Sequence, residues 1–103
     1  MAAFRIDAIT TREQPLHLEV QGEVTNGVIE RGMSLVVPLA PDADVATILS
    51  VAAIRHLDGA GPDDRRLVLL VPMSPLEAAG WPDLLRAGMT VHAAHLDPAA
   101  YVR

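Results

Sequence analysis

Residues 22–35 read GEVTNGVIERGMSL and place three glycines within fourteen residues. Glycines at such density either cradle a phosphate at the start of a helix or turn the chain. Residues 33–35 alternate apolar and polar side chains, and Val36-Val37 follow before Pro38, which is typical of a strand rather than a helix. The glycines therefore turn the chain. We expect a hairpin at Gly27, a second reversal at Gly32, and a bulge or close crossing at Gly22.

The sequence on either side of this stretch predicts an all-β fold. Residues 16–24 alternate with period two, as in a strand with one buried face. The apolar run at 67–71, bounded by arginines and by Pro72, fits a strand covered on both faces. Residues 49–54 and 89–93 favour two further strands. Six or seven short strands, with a turn signal roughly every 8–12 residues, predict a small antiparallel barrel or sandwich.

One short helical turn is expected near residues 75–79. Ser74 fits the N-cap, Pro75 the first helical position and Glu77 the reciprocal capping residue. Gly80 follows closely and ends the turn.

The length of 103 residues bounds the domain organisation. It suffices for one domain with its own core. We expect that domain to cover residues 1–95, with a tail at 96–103, because an Asp-Pro pair interrupts the last strand pattern. Loops are expected at 41–44 and 58–64, where proline, glycine and aspartate cluster.

The composition and charge favour some classes of protein over others. A net charge of −5 weighs against a general nucleic-acid binder. No apolar run approaches the roughly 18 residues of a membrane helix. The start of the chain lacks the apolar run of a secretory signal, and there is no cysteine, so we expect a cytoplasmic protein. All eight basic residues are arginine, which indicates a GC-rich, bacterial genome.

Residues 22–33, GEVTNGVIERGM, resemble the signature G-x-V-x-x-G-x-[IV]-x-x-G-[DM] of the translation-type β-barrel. That barrel is the second domain of elongation factor Tu and related translational GTPases. The resemblance extends over residues 4–92, and residues 85–91 are similar to the closing element of the family. It implies a closed, six-stranded, antiparallel Greek-key barrel, here as a stand-alone domain.

The resemblance also bears on function. In elongation factor Tu the barrel helps to seat the aminoacylated end of tRNA, partly through a carboxylate and a neighbouring arginine. Alignment places Ala52 at the carboxylate position and Arg55 at the arginine. The chain has no G-x-x-x-x-G-K-[ST] loop and no lysine to serve in one, so Walker-type nucleotide hydrolysis is not expected.

No group of residues in the sequence predicts catalysis, a cofactor or a metal site. His92 and His95 are three residues apart, and on an extended strand they point to opposite faces. The aspartates of the expected loops lack the spacing of a calcium-binding loop. The serines lack the context of a nucleophile. We therefore expect a protein that is not an enzyme and that carries no cofactor and no metal.

The preferred hypothesis is a non-enzymatic binding or interaction module that contacts a protein partner or self-associates. Its candidate contact residues are Trp81, Arg55, Arg65 and Arg66. Trp81 has two interpretations, an anchor for a partner or a plug at one end of the barrel. One alternative function is an RNA- or tRNA-contacting accessory of translation, which requires the three arginines to converge. Another is a flavin-like small-molecule site, because similar six-stranded barrels bind flavins in reductases.

Overall fold

Seven strands and one short helix make up the described part of the chain. The computed structural model describes residues 2–38, 46–56, 65–83 and 85–95. The strands are β1 Ala2–Arg12, β2 His17–Asn26, β3 Ser34–Pro38, β4 Ala46–Ser50, β5 Ala53–His56, β6 Arg66–Pro72 and β7 Thr90–Ala94. Helix α1 spans Pro75–Gly80 and leads directly into a 3₁₀ turn at Trp81–Asp83. The all-β class and the short helix after Ser74 are confirmed.

The strands form one curled sheet that resembles half of a barrel. Their order is β4-β3-β7-β1-β2-β6-β5, and every pairing between described strands is antiparallel. The count is seven rather than six because residues 49–54, expected as one strand, are divided at Val51 and Ala52. The Val51 N–H donates to the carbonyl of Met33 (2.9 Å), whereas the Ala52 N–H donates to that of Leu70 (2.9 Å). The chain changes its partner strand at this point.

The prediction of a hairpin at Gly27 is wrong, although the chain does turn at this residue. Gly27 and Gly32 have φ of 71° and 93°, so both occupy the left-handed region. Strand β2 is already paired with β1 on one side and with β6 on the other, so it has no edge left for β3. The chain instead crosses over, and β3 pairs with β4 and β7.

Gly22 marks a close approach between β1 and β2, as expected. It pairs with Ile6, and the register shifts immediately afterwards, where Ala8 faces Gln21. A Cβ atom at Gly22 would collide with the carbonyl oxygen of Arg5 and would lie 2.8 Å from the ring of Phe4. Only glycine fits here without moving one of the two strands.

The core lies on the concave face of the sheet. The alternation of β2 buries Leu18, Val20 and Val24, which confirms the strand predicted at 16–24. In β6, Leu67 and Leu69 belong to the core, whereas Val68 is buried on the opposite, outer face. The prediction that this strand is covered on both faces is confirmed.

Some predictions concern residues outside the described part. The loops at 41–44 and 58–64 and the tail at 96–103 lie there, and the domain limits at 1–95 stay a prediction. Among the described residues, no helix has the length and apolar character required to cross a membrane.

Candidate functional site

An apolar depression of about 440 Å³ lies at the end of β2. We call it the open-end depression. Three parts of the chain meet here: the end of β2 with the turn that follows, strand β5, and the start of β6. The lining residues are Val24, Gly27, Val28, Ile29, Ile54, His56, Arg65 and Leu67. Five of these eight side chains are aliphatic, so the surface is apolar with polar groups at its border.

The depression exists because two neighbouring segments diverge. At their near end, the Gly32 N–H donates to the carbonyl of Val51 (3.0 Å). Beyond Val51, no backbone hydrogen bond joins residues 53–56 to residues 27–31 in the part of the chain that the structure describes. Gly27 has a positive φ where β2 ends. The apolar depression lies between β5 and this turn.

Arg65 holds the far end of this depression. Its Nε donates to the carbonyl of Val24 (2.9 Å) and its Nη2 to that of Gly27 (2.6 Å). The backbone carbonyl of Arg65 also accepts from the Val24 N–H (3.0 Å). Arginine has five N–H donors, and these two side-chain bonds use only two of them. The guanidinium is thus fixed in place beside the apolar lining.

Two adjacent residues of the turn differ sharply in exposure. The Ile29 side chain is buried in the core, whereas Val28 is 68% exposed at the border of the depression. Val28 therefore adds exposed aliphatic surface to the border of the depression.

The three candidate arginines do not converge. Arg55 lies opposite Val68 in the register of β5 and β6, and Arg66 is two residues from Val68 on the same strand. Both therefore lie on the outer face of the sheet, and Arg66 is not without an interaction partner. Arg65 lies on the concave side, at the depression. The convergence that the RNA alternative requires is not observed for Arg65.

Arg55 belongs to an ion-pair network centred on Glu19, whose side chain is 17% exposed. Arg55 Nη2 lies 3.2 Å from Glu19 Oε2, and Arg12 Nε lies 3.5 Å from the same oxygen. His17 Nε2 lies 3.8 Å from Oε1. The network connects β1, β2 and β5 across the outer face.

Trp81 lies at the opposite end of β2 from the depression. It packs against the core, and its Nε1 donates to Thr11 Oγ1 on β1 (3.2 Å). This geometry fits the interpretation of Trp81 as a plug at one end of the sheet. Its role in contacting a partner stays a prediction.

The histidines are dispersed. His95 Nε2 lies 3.1 Å from Glu30 Oε2, His17 contacts Glu19, and His56 borders the depression. Among the residues that the structure describes, no three His, Cys, Asp or Glu side chains come together as a metal ligand set.

Sequence reasoning singled out Arg65 as a candidate contact but did not single out the apolar residues around it. Ile29, Ile54 and Leu67 lie in three separate segments, and only the crossover after β2 brings them together. Gly27 could be recognised in the sequence as a turn residue. The depression beside it, however, depends on which strands pair.

Comparison with family models, with curated proteins and with solved structures gives no match for this chain. The resemblance to the translation-type barrel therefore depends on the signature at residues 22–33 and the similar segments beyond it.

Proposed function

We propose that this chain is a non-enzymatic interaction module that binds a protein partner at the open-end depression. The observation that carries the proposal is the exposure of Val28 beside a concave apolar surface lined by Ile54 and Leu67. The centre of a protein–protein interface is depleted of charge and its border is polar. His56 and Arg65 provide such a border here.

We also propose that the fold is a closed six-stranded barrel of the translation type, acting in the bacterial cytoplasm. Support for the closure comes from β4 and β5, which are separated by only Val51 and Ala52. Counted as one bent strand, they pair with β3 through the first half and with β6 through the second. The two ends of the sheet order then belong to the same strand.

Photo-crosslinking in cells of the source organism tests the function. A photoreactive residue is introduced in place of Val28, and in a second protein in place of Leu76, which is 84% exposed on α1. We expect a specific adduct from position 28 and none from position 76. The adduct is identified by mass spectrometry, and the purified partner is then titrated against the full chain.

The Val28→Asp variant should bind that partner at least about tenfold more weakly, because a charge beside the depression must lose its hydration in the complex. The Leu76→Asp variant is the matched control and should bind normally. Equal crosslinking from both positions would count against the proposal. An adduct between two copies of the chain would identify self-association instead.

RNA binding is the second candidate, and it is favoured by one observation. Arg55 and Arg66 lie on the same outer face of β5 and β6. Titration with tRNA at low salt tests it, because phosphate contacts weaken steeply as salt rises. Binding that disappears in Arg55→Gln and survives in Val28→Asp would favour this candidate. No binding at low salt would eliminate it.

A further inference from the structure

We infer that the partner binds through a tryptophan side chain, which fills the open-end depression as Trp81 covers the equivalent surface in the other half of the chain. The inference rests on the proposed function and specifies the anchor residue of the partner.

The two halves of the chain repeat one backbone arrangement. The first half holds β1 to β3, residues 2–38, and the second holds β4 to β7, residues 46–94 as far as the structure describes them. Each contains the pattern apolar-x-x-Gly-Met, at residues 29–33 and 85–89, and the two glycines have φ of 93° and 87°. The Gly32 N–H donates to Val51, whose N–H donates to Met33, and the Gly88 N–H donates to Ile6, whose N–H donates to Met89.

Strands β2 and β6 show the same correspondence at their ends. The Val24 N–H donates to the carbonyl of Arg65 (3.0 Å), and the Met73 N–H donates to that of Leu16 (3.2 Å). Val24 is therefore the equivalent of Met73, and Leu16 is the equivalent of Arg65.

Strand pairing places an approximate twofold axis between the halves. Val20 and Leu69, each four residues before the matched Val24 and Met73, lie directly opposite each other. Val36 and His92, each three residues after the matched methionine, do the same. Equivalent residues that pair with each other lie beside an axis of twofold rotation. A surface formed in one half therefore has a counterpart in the other.

The counterpart of the open-end depression lies at the end of the sheet that Trp81 covers. His56 lies opposite Leu67, and Thr11 lies opposite Leu18, the equivalent leucine, so His56 and Thr11 correspond. The other matched pairs of lining positions include Ile54 with Ile9 and Ile29 with Leu85.

The halves differ in the chain that crosses this surface. Four residues separate Val24 from Ile29, whereas eleven separate Met73 from Leu85. The longer connection contains α1 and Trp81. Trp81 packs against the core, and its indole N–H bonds to Thr11 Oγ1. The second half thus supplies its own tryptophan, and the shorter connection of the first half leaves a depression of about 440 Å³.

The polar groups at the depression also suit an indole. His56 lies where Thr11 accepts the indole N–H of Trp81, and a neutral imidazole has one nitrogen that accepts such a bond. Arg65 holds a cation beside the apolar lining. The face of an aromatic ring attracts a cation, and that of tryptophan does so most strongly. An aliphatic anchor would use neither group.

A small indole compound tests the anchor with the full chain. N-acetyl-tryptophanamide is titrated against the isotopically labelled protein, and the amide signals are followed by NMR. We expect saturable shifts at Gly27, Val28, Ile54 and His56, whereas the indole N–H signal of Trp81 stays in place. The controls are N-acetyl-leucinamide and the tryptophan compound methylated at its indole nitrogen. Each should bind about fivefold more weakly, because the first lacks the ring and the second lacks the donor.

Variants at His56 copy or remove the acceptor. His56→Thr reproduces the residue found at the Trp81 end and should retain binding of the tryptophan compound. His56→Val has nearly the same shape as His56→Thr without an acceptor, so it should bind about fivefold more weakly. The methylated compound should not distinguish these two variants. Val28→Asp should weaken binding, Leu76→Asp should not, and circular dichroism checks that each variant is folded.

Removal of Trp81 tests the equivalence of the two surfaces. In the Trp81→Ala protein the tryptophan compound should bind at two places, with a second set of saturable shifts near Ile9 and Thr11. A single set, confined to the open end of the folded variant, would contradict the equivalence.

The inference is overturned if the tryptophan compound gives no saturable shifts at the open end, if the leucine compound binds equally well, or if His56→Thr and His56→Val bind alike. The fate of the proposed function is separate. If the partner crosslinked through position 28 binds after its tryptophans are replaced, the interaction surface stands and the tryptophan anchor does not. If position 28 gives no adduct and Val28→Asp leaves binding of the compound unchanged, both fail.

Discussion

Strand β2 runs between two ends of the sheet, and the apolar side chains at these ends are covered to different extents. Near its start, Trp81 packs against the core, and its indole N–H bonds to Thr11 on the neighbouring strand. Near its finish, the chain turns away at Gly27 and leaves Val28 exposed beside an apolar depression. The ten-residue strand between the two ends is about 30 Å long. We call them the Trp81 end and the open end.

The difference lies in what covers the apolar side chains. At the Trp81 end, a large aromatic ring covers the core and its polar atom is satisfied within the chain. At the open end, Arg65 satisfies the backbone carbonyls of Val24 and Gly27, but it leaves the aliphatic surface beside it accessible. These hydrogen bonds fix the backbone at the open end, and the apolar side chains beside them stay accessible to another molecule. The first end should therefore contribute more to stability, and the second more to binding.

The largest effect is expected at Gly22, where β1 and β2 approach each other most closely between the two ends. Gly22→Val should lower the free energy of unfolding by about 3 kcal/mol or more, because the side chain would collide with the backbone of Arg5 and with Phe4. Urea denaturation measures the loss. The matched control is Gly80→Ala, where a Cβ has no neighbour within 4 Å, and its stability should stay within about 0.5 kcal/mol of the parent. A Gly22→Val protein as stable as the parent would refute the close approach.

Removal of the plug should have the next largest effect. Trp81→Ala should lower the free energy of unfolding by about 2 kcal/mol, less than for a fully buried tryptophan. Trp81→Phe keeps most of the packing and loses only the bond to Thr11, so its loss should be about 1 kcal/mol. Trp81 is the single tryptophan, so unfolding is followed by circular dichroism rather than by fluorescence. Binding of the partner crosslinked through position 28 should be unchanged in both folded variants, and a parallel loss would show that the ends are coupled.

Arg65 should matter less to stability than Trp81. Arg65→Gln loses both side-chain bonds to the backbone, and we expect a loss of about 1 kcal/mol because the guanidinium is exposed to water that can replace it. Arg86→Gln, at another exposed arginine, is the control and should change stability by less than about 0.5 kcal/mol. Thermal denaturation of the pair compares them. Equal melting temperatures would mean that Arg65 does not hold the open end.

The elements that could be predicted are those whose signals are local. The alternation of β2, the apolar run of β6 and the caps of α1 each lie within a few residues, and all three elements form. Strand β1 is the longest, yet it was not recognised individually. Its buried residues begin with Ala2, Ala3 and Phe4 in succession, so period two is absent where the strand starts.

The candidate site was harder to predict because it depends on pairing. An Asn-Gly pair indicates a hairpin only if the preceding strand has a free edge, and β2 has none. Arg65 was singled out for its charge, whereas its observed partners are carbonyl groups, which every residue carries and which leave no mark in a sequence. The apolar lining combines Ile29 and Ile54, which no local sequence pattern places beside the same depression.

The smallest effect on stability is expected at the open end itself. Val28→Asp should change the free energy of unfolding of the isolated chain by less than about 0.5 kcal/mol, because the side chain already contacts water. Leu76→Asp, at the even more exposed Leu76 on α1, is the matched control. Melting temperatures are measured at low and high protein concentration, because a protein that self-associates through this surface becomes more stable as its concentration rises. If Val28→Asp removes a concentration-dependent gain that Leu76→Asp retains, the open end binds another copy of the chain. If the melting temperature is independent of concentration in all three proteins, the exposed valine is left for a different partner.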